Sequence, residues 1–392
     1  MVARNLSKTA IIIEYVVICN PFSKVIFLPD VVQRHAMSKL PENLAPEETL
    51  PLPHRRRVRY HGKNPSRFED KYKEREAGDH PETIGKILAA GKTPAGTHRP
   101  IMVAEILLAL SPKPGETAVD GTLGYGGHAC EILPLIQPGG RLIGLDVDPV
   151  ELPKTEVRLR ARGFGPATFL ARRCNFAGLP KLLVAEGLAG VDLILADLGV
   201  SSMQLDDPVR GFSVKRDGPL DMRMNPQRGQ SAPDLIQGLT PRLLARLLAD
   251  NADEPHARPL AEALAGGRFE TTAQLSAAIR RALPPATAEA DRVSSVRRVF
   301  QALRIAVNEE LVALDAFLRV LPHCLNPGGR VAILTFHSGE DRRVKKAFEA
   351  GLRDGVYREI AREPIRPGAA ESFGNPRSRS AKLRWALRAD AF

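Results

Sequence analysis

Aromatic residues are scarce in this chain: 14 Phe, 5 Tyr and a single Trp make up 5% of its 392 residues. A lone aromatic beside a motif therefore carries weight. Cysteine is scarcer still, and Cys19, Cys130, Cys174 and Cys324 are far apart, with no C-x-x-C pair. That spacing argues against a zinc site and a disulfide framework and suits a reducing compartment, so the expectation is a cytoplasmic protein without a bound metal. Long apolar runs are missing as well. The nearest approach, residues 10–28, is interrupted by Glu14, Asn20, Pro21 and Lys24. Neither a signal-peptide core nor a spanning helix fits there, and no membrane partner is expected.

Positive charge, by contrast, is in excess. Lys and Arg number 56 against 45 Asp and Glu, a net charge of +11. Such a balance suits a polyanionic partner, and equally a solvated basic surface. The hydrophobic share of 43% and charged share of 26% are those of a globular protein, long enough for more than one domain. Residues 1–95 read as a flexible extension, of which 1–36 precede Met37 and could be a mis-assigned start. Its second half combines Pro41, Pro46, Pro51 and Pro53 with a basic run from Arg55 to Arg75, interleaved with Tyr60, Phe68 and Tyr72. Segments of this kind are commonly disordered alone and can order on nucleic acid.

From Thr97 the pattern becomes an alternation of strands and helices. Short apolar runs at Thr117–Asp120, Arg141–Asp146, Thr168–Arg172 and Val191–Asp197 are separated by helix-period stretches. Apolar strands alternating with helices indicate an α/β fold with a parallel sheet covered on both faces. The alternation stops between about Ser213 and Arg304, where Pro241–Ala249, Arg258–Ala265 and Thr272–Leu283 each carry a helical stripe. A helix over Ala302–Val320 and a strand over Arg330–Phe336 then resume the sheet. The expected organisation is an extension (1–95), a first sheet part (96–212), an inserted helical substrate domain (213–304) and a second sheet part with a basic end (305–392).

Between the first strand and the helix entered near His128 lies Asp120-Gly-Thr-Leu-Gly-Tyr-Gly-Gly127. Glycines let a ligand approach the backbone, and a helix starting there offers free N–H groups. Asp146, one βαβ step later at a strand end, stands where a carboxylate takes ribose hydroxyls, and Phe176 can stack on a base or pack beside it. The glycine order is not the G-x-G-x-x-G of a dinucleotide site. A carboxylate beside the loop suits a ligand with a cationic end, which favours S-adenosylmethionine over NAD.

Downstream runs a long polar string: Asp197-Leu-Gly-Val-Ser-Ser-Met-Gln204, Arg210-Gly-Phe-Ser, Asp217-Gly-Pro-Leu-Asp-Met-Arg-Met224, then Phe300-Gln-Ala-Leu-Arg-Ile, Phe336-His-Ser and Asn375-Pro-Arg-Ser-Arg-Ser. No core requires such a string. From about His98 to Arg388 the chain resembles the bacterial 16S rRNA cytosine-N4 methyltransferase family. The resemblance implies a Rossmann-like class I methyltransferase sheet and S-adenosylmethionine as cofactor. It also implies N4 methylation of a cytidine in the decoding region of 16S rRNA, within the small ribosomal subunit, with no DNA partner. By similarity Gly126, Gly127, His128, Asp146, Phe176, Asp197 and Gln204 would contact the cofactor. Asp197 is also a candidate acceptor of the amine proton, and Ser201, Ser202 and His337 are candidate substrate-orienting groups, with His337 a possible catalytic residue. Ser338-Gly-Glu-Asp341 reads as a helix-capping box. The basic set Arg377, Arg379, Lys382 and Arg384 is an expected RNA path, with Arg342, Arg343, Lys345 and Lys346 as a second one. Met203, Gly339 and Asn251-Ala-Asp-Glu254 depart from the family's usual residues. Competing readings are a non-catalytic ribosome-assembly factor that retains the pocket and a nicotinamide-dependent oxidoreductase; the oligomeric state is left open.

Overall fold

A computed structural model describes residues 100–390. The expectations for the N-terminal extension and for a start at Met37 lie outside the described residues. Seven strands form one sheet: β1 (Thr117–Asp120), β2 (Arg141–Asp146), β3 (Phe169–Arg173), β4 (Val191–Asp197), β5 (Leu325–Thr335), β6 (Tyr357–Ile360) and β7 (Lys382–Arg388), in the order β3-β2-β1-β4-β5-β7-β6. The pairings among β3, β2, β1, β4 and β5 are parallel, and β7 runs antiparallel to both β5 and β6.

Strand alternation divides the apolar side chains between two layers. Val119, Ile143, Ile194 and Ile333 pack on one side against α4 (Leu179–Ala185), α11 (Glu310–Cys324) and α12 (Ser338–Arg353). On the other side Ala118, Leu142, Leu193, Leu195 and Leu334 meet α1 (Val103–Leu110), α2 (Gly127–Leu135) and α3 (Glu151–Ala161). Both faces are covered, which is why these strands are apolar throughout rather than alternating.

Between β4 and β5 the chain builds a further apolar core of its own. It joins α6 (Ala232–Gly238), α7 (Pro241–Ala252), α8 (Ala257–Leu264), α9 (Thr272–Ala282) and α10 (Glu289–Val307) through Ile236, Leu244, Leu248, Leu260, Leu275, Ile279 and Leu303. A short helix, α5 (Ser202–Asp206), lies just after β4, and another, α13 (Ala369–Gly374), precedes β7.

Three local expectations are corrected. The single helix over Ala302–Val320 is two helices, because α10 ends at Val307 and α11 begins at Glu310. The break is tertiary in origin. Asn308 accepts from the Met224 N–H at 2.7 Å and donates to the Met222 carbonyl at 2.8 Å, and Glu309 takes φ +51°. Consequently α10 runs across residue 304, where the helical segment was expected to end. Strand β5 starts at Leu325 rather than Arg330, carrying Pro327-Gly328-Gly329 as an irregularity in its pairing with β4, and stops at Thr335. The cap of α12 is His337 rather than Ser338. Glu340 reaches back to the Phe336 and His337 N–H groups, while Ser338 Oγ donates to Asp253 at 2.8 Å. Among the described residues no helix is long and apolar enough to cross a membrane.

Candidate active site

A cavity of about 1640 Å³ opens at the carboxyl ends of β1, β2 and β4. It exceeds the roughly 300–1,000 Å³ typical of a single small-molecule site. One wall is the glycine loop; the helical segment and the C-terminal turn supply others.

The loop is held from below. Leu123 N–H donates to the Leu145 carbonyl at 2.7 Å, and Gly124 N–H donates to Asp146 Oδ2 at 2.7 Å. Gly124 and Gly126 adopt φ +48° and +79°, and a Cβ on Gly126 would stand 2.9 Å from Thr155 Cγ2. Here glycine is required both for its backbone angle and for the space. Gly144 matters in a different way, since a Cβ there would meet Leu123 at 2.7 Å and lift the loop off the sheet.

Of the residues expected to contact a cofactor, Gly127, His128, Asp146, Phe176, Asp197 and Gln204 all line this cavity. Gly126 does not; it sits behind the loop against α3. Asp146 uses one oxygen on Gly124 and the other on the Asp148 N–H at 2.8 Å. Phe176 packs edge-on to Phe317, with ring centroids 5.1 Å apart. Gln204 is engaged twice, accepting from Ser201 N–H at 2.9 Å and donating to Asp148 at 2.8 Å. Ser201 in turn caps α5, its hydroxyl accepting from Gln204 N–H. The Ser202 side chain lies outside the described part of the chain.

Asp120, taken from sequence as the carboxylate facing a cationic ligand end, is turned inward: it is 2% exposed and is not part of the cavity wall. The loop hides it because its side chain accepts from Thr122 N–H at 3.1 Å. At the cavity surface Asp197 stands instead. Its Oδ2 lies 3.7 Å from His128 Nδ1, and His128 Nε2 is 3.0 Å from the Ile101 carbonyl. That second contact makes Nε2 the protonated nitrogen of a neutral ring and leaves the Nδ1 lone pair toward Asp197.

Burial dominates the electrostatics here. It pushes Asp120 and Asp146 up to about 6. Asp197 is pushed up to about 7, first by burial and then by the nearby negative charge of Glu340. His128 is lowered by burial, which keeps its ring neutral. Three carboxyls at strand ends are thus held above the usual carboxylate range.

His337 is not in the wall. Its Nε2 points at Glu340 Oε1, 3.1 Å away, while Phe336 and Glu340 on either side of it do face the cavity. The structure therefore gives His337 a partner inside the protein and not a place at the ligand surface.

Several residues that sequence reasoning passed over are central. Asp148, 1% exposed, caps α3 through Val150 N–H and receives both Gln204 and Arg210, the latter at 2.9 Å. Arg210 also donates to the Arg223 and Met224 carbonyls. Its position inside the polar string was the available signal; its partner two residues after Asp146 was not visible. Arg304 and Glu310 form a two-pronged ion pair at 2.7 and 2.8 Å, close to the buried Glu340. All three line the cavity.

The expected RNA path needs correction too. Lys382 and Arg384 both bind Asp341, at 2.8 and 2.6 Å, and Arg384 is 3% exposed, because β7 is an interior strand of the sheet. Arg377 pairs with Asp206. Arg379 alone of that set is exposed without an ion pair among the described residues. In the second set, Arg342, Arg343 and Lys345 pair with Asp253, Asp315 and Glu349.

The MraW methylase family profile matches residues 95–389. The chain is 46% identical over 352 residues to "Ribosomal RNA small subunit methyltransferase H 1" of Lachnoclostridium phytofermentans, covering 88% of this chain and 96% of that one. It is also 46% identical over 342 residues to "Ribosomal RNA small subunit methyltransferase H 2" of Alkaliphilus metalliredigens, covering 85% and 97%. Against "Ribosomal RNA small subunit methyltransferase H" of a Geobacter species the identity is 43% over 306 residues, covering 73% and 97%. With a loop-and-carboxylate pocket and a match over residues 95–389, the chain belongs to the MraW methylase family.

Proposed function

We propose that this protein methylates the exocyclic N4 of a cytidine in the decoding region of 16S rRNA, in the small ribosomal subunit, using S-adenosylmethionine. An S-adenosylmethionine-dependent rRNA methyltransferase is the coarser statement, and it comes with the family and with relatives named for small-subunit rRNA. The N4 position and the decoding region rest on the likeness of the string from Asp197 to Met224 and of Phe336-His-Ser to the cytosine-N4 family. The observation that carries the reading is that one cavity joins the glycine loop to Arg304 and Glu310, so cofactor and target base can meet in it.

The residues present fit the cofactor. Gly124 and Gly127 leave the loop backbone open to a ligand, and the raised carboxyls of Asp146 and Asp197 would both be relieved by a positively charged one. Asp146 would hold the ribose, Phe176 the adenine, and Gly127, His128 and Asp197 the amino-acid end. Gln204 would act chiefly by bracing Asp148. When bound, the cofactor supplies an electrophilic sulfonium methyl.

The remaining work falls to the chain. Cytosine N4 is a weak nucleophile, its lone pair being delocalised into the ring, so holding it in line is a large rate factor. Positive charge develops on that nitrogen, which an acceptor for its hydrogens stabilises. Asp197 is the carboxylate placed to face that charge, and its primary assignment here is to the cofactor. The helical segment 213–304 is the proposed holder of RNA, and the cytoplasm the proposed location. Mass spectrometry of small-subunit rRNA from cells with and without the protein tests the whole reading. A monomethylated decoding-region cytidine should appear only with it. Identical rRNA in both strains would leave only the assembly-factor alternative.

A further inference from the structure

We propose that Arg228, Arg297 and Arg379 grip the phosphates of a single-stranded RNA segment at the cavity mouth, with the exposed ring of Phe373 as a stacking face for a flanking base. The identity of the polyanion rests on the RNA-methyltransferase reading; the arrangement itself does not.

Some exposed arginines among the described residues are neutralised by a carboxylate, and others are not. Arg172 pairs with Glu186, Arg246 with Asp250, Arg268 with Glu270, and Arg358 with Asp390. Arg228 and Arg297 are exposed and have no ion-pair partner among the described residues, and Arg379 donates only to the Ser372 carbonyl, at 3.1 Å. The three come from separate places: the turn after Met224, the outer face of α10, and the turn Pro376–Ser380. All of them line the same cavity. Arg173 is a fourth unpaired arginine in the wall, but it stands three residues before Phe176 and belongs to the cofactor end. Glu309 is the exposed carboxylate among the cavity residues, while Asp146, Asp148, Glu310 and Glu340 lie deeper and are hydrogen-bonded. The rim is therefore positive and the floor negative. A phosphate backbone would be drawn to the rim, and a base reaching the floor has to leave its stack.

Phe373 supports the same occupant. It is 86% exposed, on the segment whose Ser372 carbonyl anchors Arg379. An unpaired guanidinium, Arg379, tied to the segment that carries a free aromatic face supplies the elements of a single-strand site, where rings stack on bases and charges track phosphates. An acidic protein partner would use the charges but gain little from the ring.

The test uses the full-length protein and a labelled, unstructured oligoribonucleotide, with binding followed by fluorescence anisotropy across a salt series. Each lost phosphate contact should lower the log–log salt slope by ~0.7, so Arg228→Ala/Arg297→Ala/Arg379→Ala should lower it by about 2 and weaken binding ~10-fold or more. The matching triple lysine variant should restore the slope. Phe373→Ala should weaken binding with no change of slope. Arg319→Ala, an exposed arginine outside the cavity, should do neither. Unchanged cofactor affinity in every variant certifies an intact fold. A triple alanine variant with wild-type slope overturns the proposal, as does equal wild-type affinity for duplex RNA. Because the readout is binding, either result stands apart from whether rRNA proves to be methylated.

Discussion

Lowering the pH from 8 to 6 should weaken S-adenosylmethionine binding about tenfold through Asp197 alone. The carboxyl is pushed up to about 7 by burial and by the charge of Glu340. A cation held against it needs the ionised form, which falls from about nine-tenths to about one-tenth over that range, roughly 1.4 kcal/mol of binding. The sign follows directly: a raised carboxyl is charged only above its own pKa, so affinity is gained as pH rises through 7. His128 does not offset the change, because burial lowers its pKa and keeps it neutral. Asp146, at about 6, adds about a further factor of two at the acid end. Calorimetry of the wild type and Asp197→Asn at several pH values isolates the Asp197 contribution, since the variant retains Asp146 and Asp120. S-adenosylhomocysteine, which keeps the α-ammonium group placed against Asp197 and lacks only the sulfonium charge, should show the same dependence. A flat wild-type affinity, or a tenfold change that survives in Asp197→Asn beyond the factor of about two owed to Asp146, refutes the assignment. A slope confined to kcat would instead make Asp197 the proton acceptor.

Arg210→Ala strands the buried Asp148 carboxylate and should destabilise the fold by about 3–5 kcal/mol; an unchanged midpoint in chemical unfolding would contradict the central place given to that pair. Gly126→Ala places a Cβ at φ +79° and 2.9 Å from Thr155, so it should lose about 1–2 kcal/mol from backbone strain and weaken cofactor binding by displacing α3. Thermal melts with and without cofactor check both halves of that statement. Phe176→Ala should remain folded, giving up an edge-on ring contact with Phe317 worth about 0.5–1.5 kcal/mol, while cofactor affinity drops several-fold by equilibrium dialysis.

Elements whose cause is local were legible from the chain. Thr117–Asp120, Arg141–Asp146 and Val191–Asp197 are strands with the bounds read from sequence, because an apolar run ending in an acid marks a buried strand and its exit. The helix entered at the glycine loop was equally readable. Asn308 shows the opposite case. Nothing in its neighbours forbids a continuous helix, and the break comes from two carbonyl and amide groups some eighty residues earlier. Similarly, Lys382 and Arg384 looked like a basic surface, and an interior strand with Asp341 beside it turned them into structural ion pairs.

By itself, the sequence determined the parallel part of the sheet, the glycine loop, the carboxylate after it and the likeness to a methyltransferase family. Each depends on residues close in the chain, where backbone preference and apolar periodicity act directly. The antiparallel β7 and its neighbour β6 came only with the structure. Tertiary structure decided which acids face the cavity. Asp120 and Asp197 both end strands, but the loop folds over one and leaves the other open, with His128 beside it. It also decided which arginines are spent on internal partners and which remain free at the rim. Charge is written residue by residue, whereas exposure and pairing depend on what the rest of the chain brings alongside.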